Sequence, residues 1–76
     1  MIREHDEVAL VRDLPENGLE RGDLGTVVHL YRDGEAYEVE FMTMDGGTIA
    51  VLTLKAEEVR SVGRGEIAHV RELATA

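Results

Sequence analysis

Two glutamates near the middle of the chain have the type and spacing needed to bind a cation or to act as an acid and base pair. Glu38 and Glu40 alternate with apolar residues in Tyr37-Glu38-Val39-Glu40-Phe41, so in a β-strand both carboxylates lie on one face. Such a pair needs an enclosing cleft or further ligands, and no third ligand stands at a fixed spacing beside it. Carboxylates that alternate with core residues are typical of a solvated strand face, so we predict neither a metal site nor a catalytic role.

Other residues that could do chemistry lack the partners they would need. The histidines, His5, His29 and His69, are far apart and have neither metal-ligand spacing nor a nucleophile beside them. The segment Gly22-Asp23-Leu24-Gly25-Thr26 lacks the lysine and the following helix of a phosphate-binding loop. Cysteine is absent, which excludes disulfides and thiolate chemistry. We therefore expect no enzyme activity, no catalytic residue, no cofactor and no bound metal.

Composition restricts the size of the fold and the kind of partner. The chain has 76 residues, with 16 acidic and 8 basic side chains and a net charge of −8. This length allows one small domain, and the charge opposes binding to phosphate backbones and to anionic lipid. The longest uncharged apolar run, residues 48–54, is far shorter than the roughly 20 residues of a membrane helix. We expect a cytoplasmic protein that binds neither nucleic acid nor membranes.

The chain consists of short apolar runs separated by glycine-bearing turns, and this pattern predicts an antiparallel all-β domain. The strands of that domain must position the candidate residues named above. Asp33-Gly34 and Asp45-Gly46-Gly47 are hairpin signals, since these residues tolerate positive φ. A long loop follows the first strand, and a 3₁₀ turn precedes the last. Together these features predict a small five-stranded SH3-like barrel over residues 1–62. The expected strands cover residues 7–12, 24–31, 36–42, 48–54 and 58–62.

The pattern also predicts which side chains form the core. Tyr37, Val39 and Phe41 share one face and should point inward, while Leu14 and Leu19 should fold back from the long loop over an open end of the core. His29 should point outward. The run 48–54 is apolar enough to be the central or best-protected strand. Met42 and Met44 should fill a barrel end, with adaptable contact to a partner as the alternative.

The end of the chain, residues 63–76, has a different period. Ile67, Val70 and Leu73 or Ala74 recur at helical spacing. This spacing predicts a short amphipathic C-terminal helix. Because so short a helix is marginal in water, it would form only by docking on the barrel, on a second copy or on a partner.

Three motifs that occur in a fixed order resemble those of a known protein family. They are Asp13-Leu14-Pro15-Glu16, Gly22-Asp23-Leu24-Gly25-Thr26-Val27-Val28 and Tyr37-Glu38-Val39-Glu40-Phe41. Over about residues 5–62 the chain resembles a bacterial domain-of-unknown-function family of small SH3-like barrels. The resemblance implies the barrel fold and brings no assigned activity. Because some members are encoded beside other small uncharacterised proteins, the resemblance also suggests an antitoxin-like or immunity-like role in a two-protein system.

The stretch Gly22–Val28 is also similar to the glycine-rich hairpin of KOW modules, which bind RNA through a basic surface. Here only Arg12, Arg21 and Arg32 come from neighbouring segments, and acidic residues outnumber them. A basic face is the usual electrostatic footprint of a nucleic-acid binder. We therefore attribute the two glycines to barrel geometry and do not expect RNA binding.

The remaining candidate site is an acidic patch around the second hairpin, formed by Asp33, Glu35, Glu38, Glu40 and Asp45. Such a patch would steer a basic protein partner, although the same charge also keeps a small barrel soluble. We therefore predict a non-enzymatic protein-binding module. The alternative is an assembly protein that forms a homodimer or larger homo-oligomer through its tail helix or an edge strand.

Overall fold

The computed structural model describes residues 1–73, and these contain one antiparallel sheet of five strands. The order across the sheet is β4-β3-β2-β1-β5, so the first strand lies between the second and the last. This arrangement confirms the all-β class and the pairing of the last strand with the first. The strands are β1 (Glu7–Leu10), β2 (Leu24–Tyr31), β3 (Ala36–Met42), β4 (Thr48–Lys55) and β5 (Val59–Ser61).

Three short 3₁₀ turns connect the strands, at Pro15–Asn17, Arg32–Gly34 and Ala56–Glu58. The Arg32–Gly34 turn joins β2 to β3, and φ is 57° at Asp33 and 97° at Gly34. Asp-Gly tolerates these left-handed conformations, so the predicted hairpin is confirmed. Within residues 1–73, no helical element has the length and apolar character needed to cross a membrane.

The two edges of the sheet are β4 and β5, and no ladder joins them among the described residues. Closure of the sheet into a barrel is therefore not confirmed. The prediction that residues 48–54 form the central strand is wrong, because β4 pairs only with β3 and leaves Val51 48% exposed. An apolar run does not distinguish a strand covered on both faces from an edge strand that turns only some side chains inward.

The core lies on the inner face of the sheet and is centred on β3. Tyr37, Val39 and Phe41 are all buried there, as the alternation predicts. Phe41 is one of the largest fully buried side chains, and full burial of such a side chain contributes about 1.5–3 kcal/mol. The backbones of Leu14 and Leu19 exchange hydrogen bonds of 2.9 and 3.1 Å, and both side chains are buried. The packed first loop is therefore confirmed.

Gly25 allows β2 to approach the side chains of β3 closely. A Cβ atom at this position would lie 2.5 Å from Val39 Cγ1 and 2.8 Å from Phe41 Cε2. Both neighbours are fully buried, so neither can move aside without disturbing the core. The close approach of β2 to β3 therefore depends on glycine at this position.

The predicted C-terminal helix is wrong over residues 63–73, which contain a turn at Arg64–Gly65 and otherwise no regular secondary structure. Ala74 lies outside the described residues. Ile67 is 94% exposed, so the apolar stripe lacks the burial that a helix this short requires.

The prediction that Met42 and Met44 fill the core at a barrel end is also wrong, since both side chains are exposed.

Candidate functional site

The exposed side of β2, β3 and β4 carries the two central glutamates. Glu38 lies opposite His29 on one side and Thr53 on the other. Directly opposite residues of an antiparallel pair project from the same face, so the neighbouring strands continue the polar surface of β3. We call this surface the carboxylate face; its polar residues are Thr26, His29, Tyr31, Glu38, Glu40, Thr48 and Thr53, and Val51, which lies opposite Glu40, is an apolar member.

Neutral hydroxyl groups hold both carboxylates in place. Thr53 Oγ1 donates to Glu38 Oε1 at 2.5 Å, and Tyr31 Oη donates to the same oxygen at 3.2 Å. Thr48 Oγ1 donates to Glu40 Oε2 at 2.8 Å. Among residues 1–73, no basic side chain lies within ion-pair distance of either glutamate. The two carboxylates are therefore ordered while their charges remain unneutralised.

Tyr31 and His29 form the aromatic part of the carboxylate face. Their ring centroids are 4.6 Å apart in an edge-to-face arrangement, a favoured geometry for aromatic pairs. Partial desolvation and the hydrogen bond to the Glu38 carboxylate raise the pKa of the Tyr31 hydroxyl above its ordinary value. Tyr31 therefore remains a hydrogen-bond donor to Glu38 at neutral pH.

The five acidic residues of the predicted patch do not lie together. Asp33 and Glu35 precede β3, whereas Asp45 follows it in the turn to β4, and seven residues of strand separate these ends by about 20 Å. The Thr43 hydroxyl donates to Asp45 at 2.5 Å. This bond and nearby backbone N–H groups lower the pKa of Asp45. Glu38 and Glu40 lie two residues apart on one face of β3, between these two ends.

A second polar contact, which the sequence did not reveal, joins the tail to the loop before β2. Arg71 Nε donates to Asp23 Oδ1 at 2.9 Å, and Nη2 donates to Oδ2 at 2.5 Å and to the Gly18 carbonyl at 3.1 Å. Glu20 Oε2 lies 3.6 Å from Nη1. We call the acceptors Gly18, Glu20 and Asp23 the Arg71 pocket.

The Arg71 pocket keeps Asp23 ionised. Burial opposes ionisation, but the hydrogen bonds from Arg71 and from the Glu20 N–H outweigh it and lower the pKa of Asp23. No local signal could have identified this pair, because 48 residues separate its members in the chain.

A comparison with sequence models of protein families assigns the family of this chain. Residues 4–61 match the model described as Domain of unknown function (DUF4926). The chain belongs to the DUF4926 family. The matched segment contains the whole sheet, the carboxylate face and the Arg71 pocket, whereas Arg71 itself lies beyond it. No curated protein and no solved structure matches the chain.

The described surface of this DUF4926 chain has grooves but no cluster of metal-binding side chains. In residues 1–73, no group of three or more histidine or acidic side chains is arranged to hold a metal ion. A groove of about 900 Å³ lies between the tail and the sheet, and both the exposed Leu24 and the buried Phe41 line it. Glu38 and Glu40 are not among its lining residues. A second groove, which contains Glu40, shares Leu24 and Met42 with the first, so the two polar sites use different residues but adjoin each other.

Proposed function

We propose that this DUF4926 chain is a non-enzymatic protein-binding module that holds a basic segment of a partner protein on the carboxylate face. The supporting observation is the adjacent pair Glu38 and Glu40, fixed by hydroxyl donors on an exposed strand face. Glu38 Oε1 accepts two hydrogen bonds and Glu40 Oε2 accepts one, so each carboxylate keeps lone pairs, mainly on its other oxygen, that a partner's donors can use. The net charge of −8 adds long-range attraction to a basic partner.

The proposal includes an SH3-like barrel as the scaffold. A long first loop, two hairpin connections and a 3₁₀ turn before a short last strand support this assignment. The family resemblance further suggests that the partner is the other member of a small bacterial two-protein system. In that setting the chain would act in the cytoplasm as the antitoxin-like or immunity-like component.

The contribution of the two glutamates can be bounded. A solvent-exposed ion pair contributes about 0.2–1 kcal/mol, so two such pairs contribute about 0.4–2 kcal/mol. Since about 1.4 kcal/mol is a tenfold change in Kd, loss of both charges should weaken binding about twofold to thirtyfold. Salt screens exposed charges, so the same change should reduce the salt dependence of Kd.

The test compares two double variants with the same net charge. Glu38→Gln with Glu40→Gln removes both charges and leaves an amide oxygen to accept the neighbouring hydroxyls. Glu16→Gln with Glu57→Gln is the matched control, since both residues are exposed and lie in 3₁₀ turns away from the carboxylate face. The partner would be recovered with the tagged wild-type chain from the native cell and identified by mass spectrometry.

Calorimetry at two salt concentrations then measures Kd for each variant with that partner. We expect the predicted loss only for the change at the carboxylate face. Equal losses in both double variants would contradict the proposal, and so would unchanged affinity in the first. RNA that the wild-type chain retains at high salt would also overturn it.

An assembly role through β4 is the second candidate. This strand has eight residues and pairs on one side only among the described residues, and an unpaired strand edge can template a second copy. Size measurement at two protein concentrations tests this role. We expect a dimer that Val51→Lys abolishes, because edge lysines oppose strand addition; a monomer at both concentrations would exclude it.

A further inference from the structure

The contact of Arg71 has the geometry of a recognition site rather than that of a loose surface ion pair. Its guanidinium forms two parallel hydrogen bonds to the Asp23 carboxylate and a third to the Gly18 carbonyl. The side chains of Arg71 and Asp23 are only 27% and 19% exposed. A planar fork of donors against a carboxylate is specific for arginine, because a lysine ammonium cannot form the bidentate pair.

The loop builds the Arg71 pocket without help from the tail. The Glu20 N–H donates to Asp23 Oδ2 at 2.8 Å, and the Asp23 N–H donates to the Glu20 carbonyl at 3.0 Å. Gly18 adopts a left-handed conformation with φ of 70°, and the paired backbones of Leu14 and Leu19 close the base of the loop. The Asp23 carboxylate and the Gly18 carbonyl therefore have supports that do not depend on Arg71.

The tail itself is lightly attached. Its apolar side chains Ile67 and Val70 are 94% and 73% exposed, and it follows the turn at Arg64–Gly65. Apart from the Arg71 contacts, its side chain–mediated hydrogen bonds within residues 1–73 are those of Glu66, which binds Arg60 and the N–H of Gly63. Apart from the ion pair between Glu66 and Arg60, the side chain–mediated polar contact of the tail with the rest of residues 1–73 is thus one guanidinium group, which another arginine could replace.

We propose that the Arg71 pocket is an arginine-recognition site that the chain's own tail fills in cis and that an arginine in an extended segment of a partner protein fills in trans. When the tail leaves, the part of the adjoining groove formed by the rest of the chain, with apolar side chains including Leu24 and Met42, receives the residues that flank this arginine. A tethered tail acts at an effective concentration of about millimolar, so it competes with the incoming segment. This inference goes beyond the proposed function, because neither Glu38 nor Glu40 belongs to the pocket.

The experiment uses the full chain with Arg71→Ala, which empties the pocket without touching the core. The probe is a blocked peptide with the sequence of residues 66–73, and its matched control has lysine in place of the arginine. Amide shifts of Gly18, Glu20 and Asp23 in NMR spectra report binding. We expect the arginine peptide to bind Arg71→Ala at least tenfold more tightly than the lysine peptide binds the same variant. We also expect the arginine peptide to bind Arg71→Ala at least fivefold more tightly than it binds the wild-type chain.

A second variant separates recognition from general attraction. Asp23→Asn in the Arg71→Ala background keeps an oxygen for the Glu20 N–H, and it should abolish the preference for arginine over lysine.

Equal binding of the two peptides to Arg71→Ala, or no shifts at millimolar peptide, would overturn the proposal. A wild-type dimer that Arg71→Ala dissolves would also overturn it, because it would assign the pocket to tail exchange between two copies. Retained binding of the arginine peptide by Glu38→Gln with Glu40→Gln, in the Arg71→Ala background, would show that the pocket acts independently of the carboxylate face.

Discussion

Replacement of Gly25 by alanine tests whether β2 needs a residue without a side chain where it passes over β3. The added Cβ would lie 2.5 Å from Val39 Cγ1 and 2.8 Å from Phe41 Cε2, whereas carbon atoms pack best at about 3.5–4.0 Å. The φ angle at Gly25 is not in the left-handed region. The expected destabilisation therefore comes from overpacking and not from backbone strain.

The size of the effect follows from the immobility of the neighbours. Overpacking a well-filled core costs about 1–3 kcal/mol, and two contacts this short with fully buried side chains place Gly25→Ala near about 3 kcal/mol. A domain of this size has a free energy of unfolding of about 4–11 kcal/mol. Since 1 kcal/mol shifts the Tm of such a domain by about 4–8 °C, we expect a loss of about 12–24 °C.

Urea denaturation followed by circular dichroism measures this change, with Gly65→Ala as the matched control. Gly65 has open space where a Cβ would lie and no positive φ, so its replacement should change stability by less than about 0.5 kcal/mol. A Gly25→Ala variant within about 0.5 kcal/mol of the wild type would refute the packing argument.

A double variant tests the named contact directly. Val39→Ala removes the Cγ1 atom that the new methyl group would meet most closely. The loss in Gly25→Ala with Val39→Ala should therefore be smaller than the sum of the single losses, by about 1 kcal/mol or more. Strict additivity would show that the two residues do not compete for the same space.

Two further predictions concern carboxylates that hold loops. Glu58 accepts the N–H of Lys55, the residue before its 3₁₀ turn, and pairs with Arg12. Glu58→Ala should therefore cost about 1–2 kcal/mol in urea denaturation and Glu58→Gln less; equal losses would contradict this role. Arg60 and the N–H of Gly63 lower the pKa of Glu66 from 4.5 to about 2. The stabilisation from Glu66 is thus present above pH 4.5 and is lost as the pH falls towards 2. An NMR titration should show this pKa rising with salt, because Glu66 is 38% exposed; a value near 4.5 at low salt would refute the contact.

The carboxylate face could be predicted in part from the sequence. Alternation placed Glu38 and Glu40 on one face opposite Tyr37, Val39 and Phe41, and the structure confirms both sides of β3. The hydroxyl groups that fix the two glutamates come from β2 and β4. Their positions depend on the register between strands, which alternation within a single strand does not determine.

The wider acidic patch was predicted as one surface because its five residues are close in sequence. A strand extends by about 3.4 Å per residue, so residues at the two ends of β3 lie far apart although few positions separate them. Proximity along a strand is therefore a poor guide to proximity in a sheet. Pairing between neighbouring strands instead brings together residues that are distant in sequence, such as Glu38 and Thr53.

The sequence by itself determined the all-β class, the Asp-Gly hairpin, the inward face of β3 and the packed first loop, since alternation and turn chemistry act over a few neighbouring residues. Only the tertiary structure decided that β4 is an edge strand, that the tail is not helical over residues 63–73 and that Arg71 meets Asp23. The physical reason is that these features depend on which distant segments bury one another. A contact between residues 48 positions apart arises from the packing of the whole chain, and local backbone preferences do not determine it.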